Sequence, residues 1–115
     1  MSKPFYITTT LPYVNAELHM GHALEFIRAD SVARYHELVG EEVFFNSGTD
    51  EHGSKIFKKA ESEGKDVKTF VDENVEKFYE SVKLFGVSEN INFIRTSDER
   101  HIKAAQEFWK TVEKN

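Results

Sequence analysis

Two histidines three residues apart are the first side chains whose types and spacing suggest chemistry. His19 and His22 lie in the segment LPYVNAELHMGH, residues 11–22, with Gly21 between them. Imidazoles at this spacing could donate hydrogen bonds to phosphate oxygens or contribute to a metal site. They could also be loop and cap side chains with only local hydrogen bonds. This segment alone leaves the three interpretations open.

A second polar group, GTDEHG at residues 48–53, contains Asp50 and His52. Asp50 is either a turn residue, as Asp after Gly-Thr often is, or a carboxylate that faces the ammonium group of a ligand. The histidines of both segments, with Asp50 or Glu51, could also compose a zinc site. Zinc histidines on a helix are usually four residues apart, so the three-residue spacing of the first segment disfavours that alternative.

The residues around these groups predict alternating strands and helices. Residues 5–10 are rich in β-forming types and stop before Pro12, which indicates a first strand. Residues 21–39 repeat apolar side chains at helical spacing and predict a helix. The other predicted elements are a strand at 43–45, a short helix ending near Gly64, a long helix from the N-cap Asp66 to Gly86, a strand at 92–94 and a last helix with a capping box of Thr96 and Glu99.

This order of elements predicts an α/β protein with a parallel sheet flanked by helices, as in one half of a nucleotide-binding fold. Both polar segments would then lie at the carboxyl edge of the sheet, where open α/β sheets bind ligands. A helix starting near Gly21 would direct free N–H groups there, which favours a phosphate. Gly21 would also let a flat ring approach, and Asn15 offers an amide donor.

Length and composition limit the possible classes of protein. The 115 residues suffice for one domain, the net charge is −5, and there is no cysteine. Disulfides, thiolate zinc sites and cysteine nucleophiles are therefore excluded. The acidic balance disfavours tight non-specific nucleic-acid binding, and no apolar run approaches a membrane span. We expect a cytoplasmic protein with Tyr35, Trp109 and the phenylalanines of the helices in its core and with Asp30 and Arg34 paired on the outer side of the first helix.

The segment PYVNAELHMGH resembles the HIGH signature of class I aminoacyl-tRNA synthetases, with Met20 at its variable position. GTDEHG, the preceding LPYVN and the later NFIRTSDERH narrow the resemblance to the methionyl-tRNA synthetase family. It covers essentially all 115 residues. The resemblance implies a Rossmann-like, HUP-type fold, of which residues 1–115 would form the N-terminal half of the catalytic domain.

The resemblance also implies an activity and a set of site residues. Members of this family condense methionine with ATP, accompanied by Mg²⁺, to methionyl-adenylate and pass the methionyl group to tRNA(Met). The implied catalytic residues are His19 and His22, and this chain would contribute no metal ligand. The implied ATP-binding residues are Asn15, His19, Gly21 and His22, the methionine-binding residues are Leu11, Tyr13 and Asp50, and His52 is a further candidate from the second segment.

Some parts of the family pattern do not occur in these 115 residues. They are the KMSKS signature, the connective insertion with its cysteine-bound zinc, and the anticodon-binding helices. We therefore expect little activity from this chain alone. Its acidic charge and its lack of a long apolar run predict little contact with nucleic acid and none with membranes. Two alternatives remain: a small HxGH nucleotidylyltransferase, with RTSDERH at residues 95–101 as a second phosphate motif, and a non-catalytic nucleotide- or metal-binding module.

Overall fold

The predicted alternation of strands and helices is confirmed in the computed structural model, which describes residues 3–114. All seven predicted elements are present, and they occur in the predicted order. They are β1 (Phe5–Thr8), α1 (Met20–Leu38), β2 (Val43–Thr49), α2 (Ser54–Ser62), α3 (Val67–Leu84), β3 (Asn92–Arg95) and α4 (Glu99–Glu113).

The three strands form one parallel sheet with β2 in the centre. The order is β1-β2-β3, with Phe5 opposite Val43 and Asn46 opposite Asn92. This is the 3-2-1 half of the doubly wound strand order 3-2-1-4-5-6. The predicted α/β class is therefore confirmed. Because the strands are parallel, their three carboxyl ends lie at the same edge of the sheet.

The central strand is longer than its apolar run predicted. It continues past Phe45 through Asn46, Ser47, Gly48 and Thr49, so the first two residues of the expected polar segment belong to the strand. The buried polar side chains find partners on neighbouring segments, because Asn46 accepts from Asn92 at 2.6 Å and Ser47 bonds to Thr9 at 2.6 Å. Asn46 and Ser47 can therefore be buried without being apolar, because neighbouring segments satisfy their hydrogen-bonding groups.

Gly48 permits a close approach of β2 and β3. A Cβ atom at this position would lie 1.8 Å from the carbonyl oxygen of Ile94. No side chain can occupy that space without separating the two strands. The position of the second polar segment relative to β3 therefore depends on glycine at residue 48.

Two apolar clusters form the core, and helix periodicity predicted most of their members. One joins α3 to α2 and the first loop, and the other joins α1 to β2 and the end of α3. The first contains Val14, Ile56, Ala60, Phe70, Val71 and Val75. The second contains Phe26, Ala29, Ala33, Phe45, Val82 and Val87.

The predictions for the last helix and for several aromatic residues were wrong. No residue of α4 is buried, and Trp109 is 70% exposed. Tyr35 on α1 is 60% exposed as well. The N-cap of α4 is Asp98 rather than Thr96, and no capping box forms. The Thr96 hydroxyl instead accepts a hydrogen bond of 2.8 Å from the Glu51 backbone.

Asp30 on α1 is buried and not on the outer side of the helix. Its carboxylate accepts from Arg34 at 2.7 Å, as the sequence predicted, and also from the Ser88 backbone at 2.8 Å. Arg34 in turn donates to the Gly86 carbonyl at 3.0 Å. The pair therefore fixes α1 to the connection between α3 and β3. Over residues 3–114, no helix combines the length and apolar character needed to cross a membrane.

Candidate active site

The two polar segments meet at the carboxyl edge of the sheet, as the sequence predicted. We call residues 9–19 the first loop and residues 50–53 the second loop. Tyr13 and Asp50 form an isolated parallel bridge between them. The Asp50 N–H donates to the Pro12 carbonyl at 3.0 Å, and the Val14 N–H donates to the Asp50 carbonyl at 3.4 Å. Backbone bonds therefore join the two loops directly.

The two histidines of the first segment cap the start of α1. The Nδ1 atom of His19 accepts from the Gly21 N–H at 3.1 Å, and Nδ1 of His22 accepts from the His19 N–H at 3.2 Å. A backbone N–H can only donate, so each Nδ1 is unprotonated and each neutral ring carries its proton on Nε2. The rings stack with centroids 3.9 Å apart. This arrangement leaves two adjacent Nε2–H groups to donate to a ligand.

The surroundings of His22 favour its neutral form. Burial lowers its pKa below the usual 6.5, the charge of His19 lowers it further, and Glu25 opposes both effects. The Glu25 carboxylate also accepts from the Thr10 backbone at 2.7 Å and from the Thr10 hydroxyl at 2.9 Å. Glu25 therefore ties the beginning of the first loop to α1 while it moderates the pKa of His22.

The helix start offers fewer free N–H groups than the sequence suggested. The helix begins at Met20, and the Gly21 N–H is occupied by the His19 ring. A Cβ atom at Gly21 would lie 2.9 Å from the Cε1 atom of that ring. Gly21 is therefore needed for His19 to fold back over the helix end. An anion could reach the Gly21 N–H only after the His19 side chain had turned away.

The other predicted site residues are distributed around this junction. Leu11 and Asn15 are half-buried in the first loop, and Tyr13 is 50% exposed. Asp50 is half-buried and accepts a long bond of 3.4 Å from the His52 backbone. The His52 ring bonds to the Thr96 carbonyl at 3.2 Å, so its Nε2 must be the donor. The structure thus brings Tyr13 beside Asp50 and His19 beside His22, whereas His52 turns to the loop after β3.

A metal site finds no support in this arrangement. Within residues 3–114, no three His, Asp or Glu side chains form a group that could hold a metal ion. His52 uses its Nε2 on the Thr96 carbonyl, and both histidines of the first segment use Nδ1 on the backbone. The histidines of the two loops are therefore held by separate hydrogen bonds.

Sequence reasoning missed the buried group in the middle of the second loop. The Glu51 side chain is fully buried and accepts from Arg95, Ser97 and Thr49. Burial alone would raise its pKa, but these hydrogen bonds outweigh burial and hold the pKa below its usual value. The available signal was the position of Arg95, a cation at the carboxyl end of β3 and thus at the same sheet edge as Glu51.

The fold and the joined loops define an α/β protein whose polar loops meet at the carboxyl edge of a parallel sheet, the edge at which open α/β sheets bind ligands. The chain belongs to the class I tRNA synthetases, in the family described as "tRNA synthetases class I (M)", whose pattern matches residues 5–115.

Relatives and solved structures agree with this family. The chain is 48% identical over 111 residues to a methionine–tRNA ligase of Thermotoga maritima, covering 96% of the chain and 18% of that protein. It is 44% identical to the Rhizobium meliloti methionine–tRNA ligase over 108 residues, covering 94% of the chain and 21% of that protein. The Mycobacterium tuberculosis methionyl-tRNA synthetase in complex with methionyl-adenylate matches with a TM-score of 0.90 at 38% identity, over 95% of this chain and 21% of that one. The chain thus spans about a fifth of the length of these relatives.

Proposed function

We propose that this chain supplies the ATP site and part of the methionine site of a methionine–tRNA ligase. The activity would be the ATP-dependent formation of methionyl-adenylate, followed by transfer of the methionyl group to tRNA(Met). Residues 1–115 would be the N-terminal half of the catalytic domain. The observation that carries the proposal is the junction itself, because the Tyr13–Asp50 bridge joins the first loop, which leads into the two stacked imidazoles at the start of α1, to the loop that carries the Asp50 carboxylate.

The first loop and the start of α1 would bind ATP. His19 and His22 would donate their Nε2–H groups to phosphate oxygens, and they stand side by side for this task. Asn15 would contact the nucleotide, and adenine would lie against Gly21. Donors that are already oriented stabilise charge that develops in a transition state without reorganising at that moment.

The bridge between the loops would form the methionine side of the site. Leu11 and Tyr13 would line the amino acid, and the Asp50 carboxylate would receive its ammonium group. Tyr13 and Asp50 are held next to each other by the bonds from Asp50 to Pro12 and from Val14 to Asp50. The His52 ring would support this loop from the side of Thr96.

The reaction asks the protein for positioning and for charge stabilisation. The methionine carboxylate attacks the α-phosphorus of ATP in line, an oxygen–phosphorus bond forms, and pyrophosphate leaves. No protein nucleophile is needed. Mg²⁺ would arrive with ATP as part of the substrate. With a net charge of −5, this chain would make little of the contact with tRNA.

The position of Arg95 argues against the nucleotidylyltransferase alternative. Its second phosphate motif, RTSDERH, would draw on this guanidinium or on that of Arg100 to bind a phosphate. In the structure, Arg95 bonds to Glu51 at 2.7 and 3.1 Å and to Asp72 at 2.6 Å. An arginine that already has two carboxylate partners is poorly placed to bind a phosphate.

The proposal is tested by methionine-dependent exchange of pyrophosphate into ATP, measured on the full-length product of the gene. His19→Ala and His22→Ala should each lower the exchange rate by about 10²–10³, as loss of a preorganised donor does. The matched control is His101→Ala on α4, because His101 lines a cavity with Phe44, Asn92 and Ala104 and with no residue of either loop. It should keep the rate within about twofold. Wild-type protein without methionine-dependent exchange, or His19 and His22 variants that behave like the control, would refute the proposal.

A further inference from the structure

We propose that Glu51 and Arg95 are positioning residues for the methionine site: their buried ion pair fixes the backbone of the second loop so that Asp50 faces the amino acid. This inference rests on the proposed function and adds two residues to it.

The Glu51 carboxylate is satisfied on both oxygens inside the protein. Its Oε1 accepts from the Thr49 hydroxyl at 2.7 Å and from Arg95 Nε at 2.7 Å, and its Oε2 accepts from Arg95 Nη2 at 3.1 Å and from the Ser97 hydroxyl. The guanidinium thus forms a two-pronged contact, the geometry that fixes orientation as well as distance. None of the Glu51 side chain is exposed.

The network joins the ends of two strands to a helix. Arg95 is the last residue of β3 and also donates to Asp72 on α3 at 2.6 Å. Glu51 follows β2 by two residues, and its backbone N–H donates to the Thr96 hydroxyl at 2.8 Å. The second loop is therefore held by both the side chain and the backbone of its own second residue.

The position of Glu51 between two candidate site residues gives the network its functional meaning. Asp50 is joined to the first loop by its backbone and His52 to Thr96 by its ring, whereas only Glu51 is anchored in the interior. A rotation of the peptide at Glu51 would move the Asp50 carboxylate directly. Displacements of about 1 Å in a positioned group can cost about 100-fold in rate.

Loss of the Glu51–Arg95 ion pair should affect the binding of methionine and the binding of ATP differently. Asp50 would contact methionine, and the phosphate donors His19 and His22 are held separately, by capping bonds at the start of α1. Weakening of the network should therefore raise the KM for methionine and spare the KM for ATP. If the network only stabilised the fold, its loss would not raise the KM for methionine more than the KM for ATP.

The experiment compares Glu51→Gln with Asp30→Asn in the full-length protein by pyrophosphate exchange. Asp30 is a matched control because it is a buried carboxylate paired with an arginine but is attached to α1 and the α3–β3 connection. Glu51→Gln should raise the methionine KM by about 10- to 100-fold and leave the ATP KM within about twofold. Asp30→Asn should lower thermal stability and leave both constants within about twofold.

Arg95→Lys provides a second variant if Glu51→Gln does not fold. It keeps the positive charge, loses the two-pronged contact, and replaces a side chain that is 26% exposed. It should raise the methionine KM by a smaller factor than Glu51→Gln. An unchanged methionine KM, or an equal rise in both KM values, would overturn the inference. Wild-type protein that lacks methionine-dependent exchange would instead overturn the proposed function.

Discussion

The two loops at the carboxyl edge of the sheet hold their polar side chains in different ways. In the first segment, the rings of His19 and His22 lie near the surface and are oriented by single backbone N–H groups. In the second loop, Glu51 is buried and ion-paired to Arg95 on another strand. The two histidine rings are thus held by local bonds within three residues, whereas the Glu51 side chain is held by contacts across the sheet.

This difference matches what each loop would have to do. Phosphate oxygens would be met by Nε2–H groups that single capping bonds already orient near the surface, so these rings need no anchor in the interior. An amino acid must be held in one orientation, which favours a loop fixed by the interior. We therefore expect substitutions in the first loop to cost rate, and substitutions in and beside the second loop to cost stability and methionine affinity.

The largest effect should come from Gly48, which precedes the second loop in β2. Gly48→Ala places a Cβ atom 1.8 Å from the Ile94 carbonyl oxygen, so β2 and β3 must separate. We expect a loss of more than about 4 kcal/mol in the free energy of unfolding, measured by urea denaturation, or failure to fold. Gly40→Ala is the control, because Gly40 has a φ of 83° but no neighbour near the added atom. It should cost only about 1–2 kcal/mol. Equal losses would mean that the second loop does not depend on the close approach of the strands.

A smaller effect is expected when the charge of Glu51 is removed. Glu51→Gln should lower the free energy of unfolding by about 3 kcal/mol at pH 7, since it breaks a buried ion pair. The folded pKa of Glu51 is lowered, so its contribution is complete above the unfolded value of about 4.5 and is lost as pH falls through the folded pKa. The difference in the free energy of unfolding between wild type and Glu51→Gln should therefore shrink at acid pH. Urea denaturation between pH 7 and pH 3 measures it, and a constant gap would refute the role of the charge.

The sequence predicted the elements that place the loops better than the contacts that hold them. Apolar runs and helix periodicity located β1, β2, β3, α1 and α3, because each of these elements packs apolar side chains into or against the two core clusters. The polar end of β2 was not recognised, since Asn46 and Ser47 are buried through bonds to partners about 40 residues away in sequence. The Glu51–Arg95 pair was missed for the same reason, since 44 residues separate its members.

Helical periodicity identifies an apolar face of a helix but does not show whether another element packs on that face. Phe108 and Trp109 lie on α4 at the spacing of a core face, and both are at least 70% exposed. Likewise, the sequence located His19 and His22 at the start of a helix but did not show that their Nδ1 atoms cap it. Cap geometry depends on the rotamers of the two rings, which residue types alone do not determine.

The smallest expected effect concerns the protonation of His22 in the first segment. Its pKa should lie below 6.5 because of burial and the charge of His19, and it can be followed by NMR titration of the ring protons. His19→Ala should raise it by removing the like charge, and Glu25→Gln should lower it by removing the opposing one. Because the folded pKa is lowered, the contribution of this group to stability falls as pH drops below 6.5, well above the window of Glu51. A His22 pKa raised above neutral pH would place a cation in the first segment, and the proposed contrast between neutral donors there and a buried ion pair in the second loop would fail.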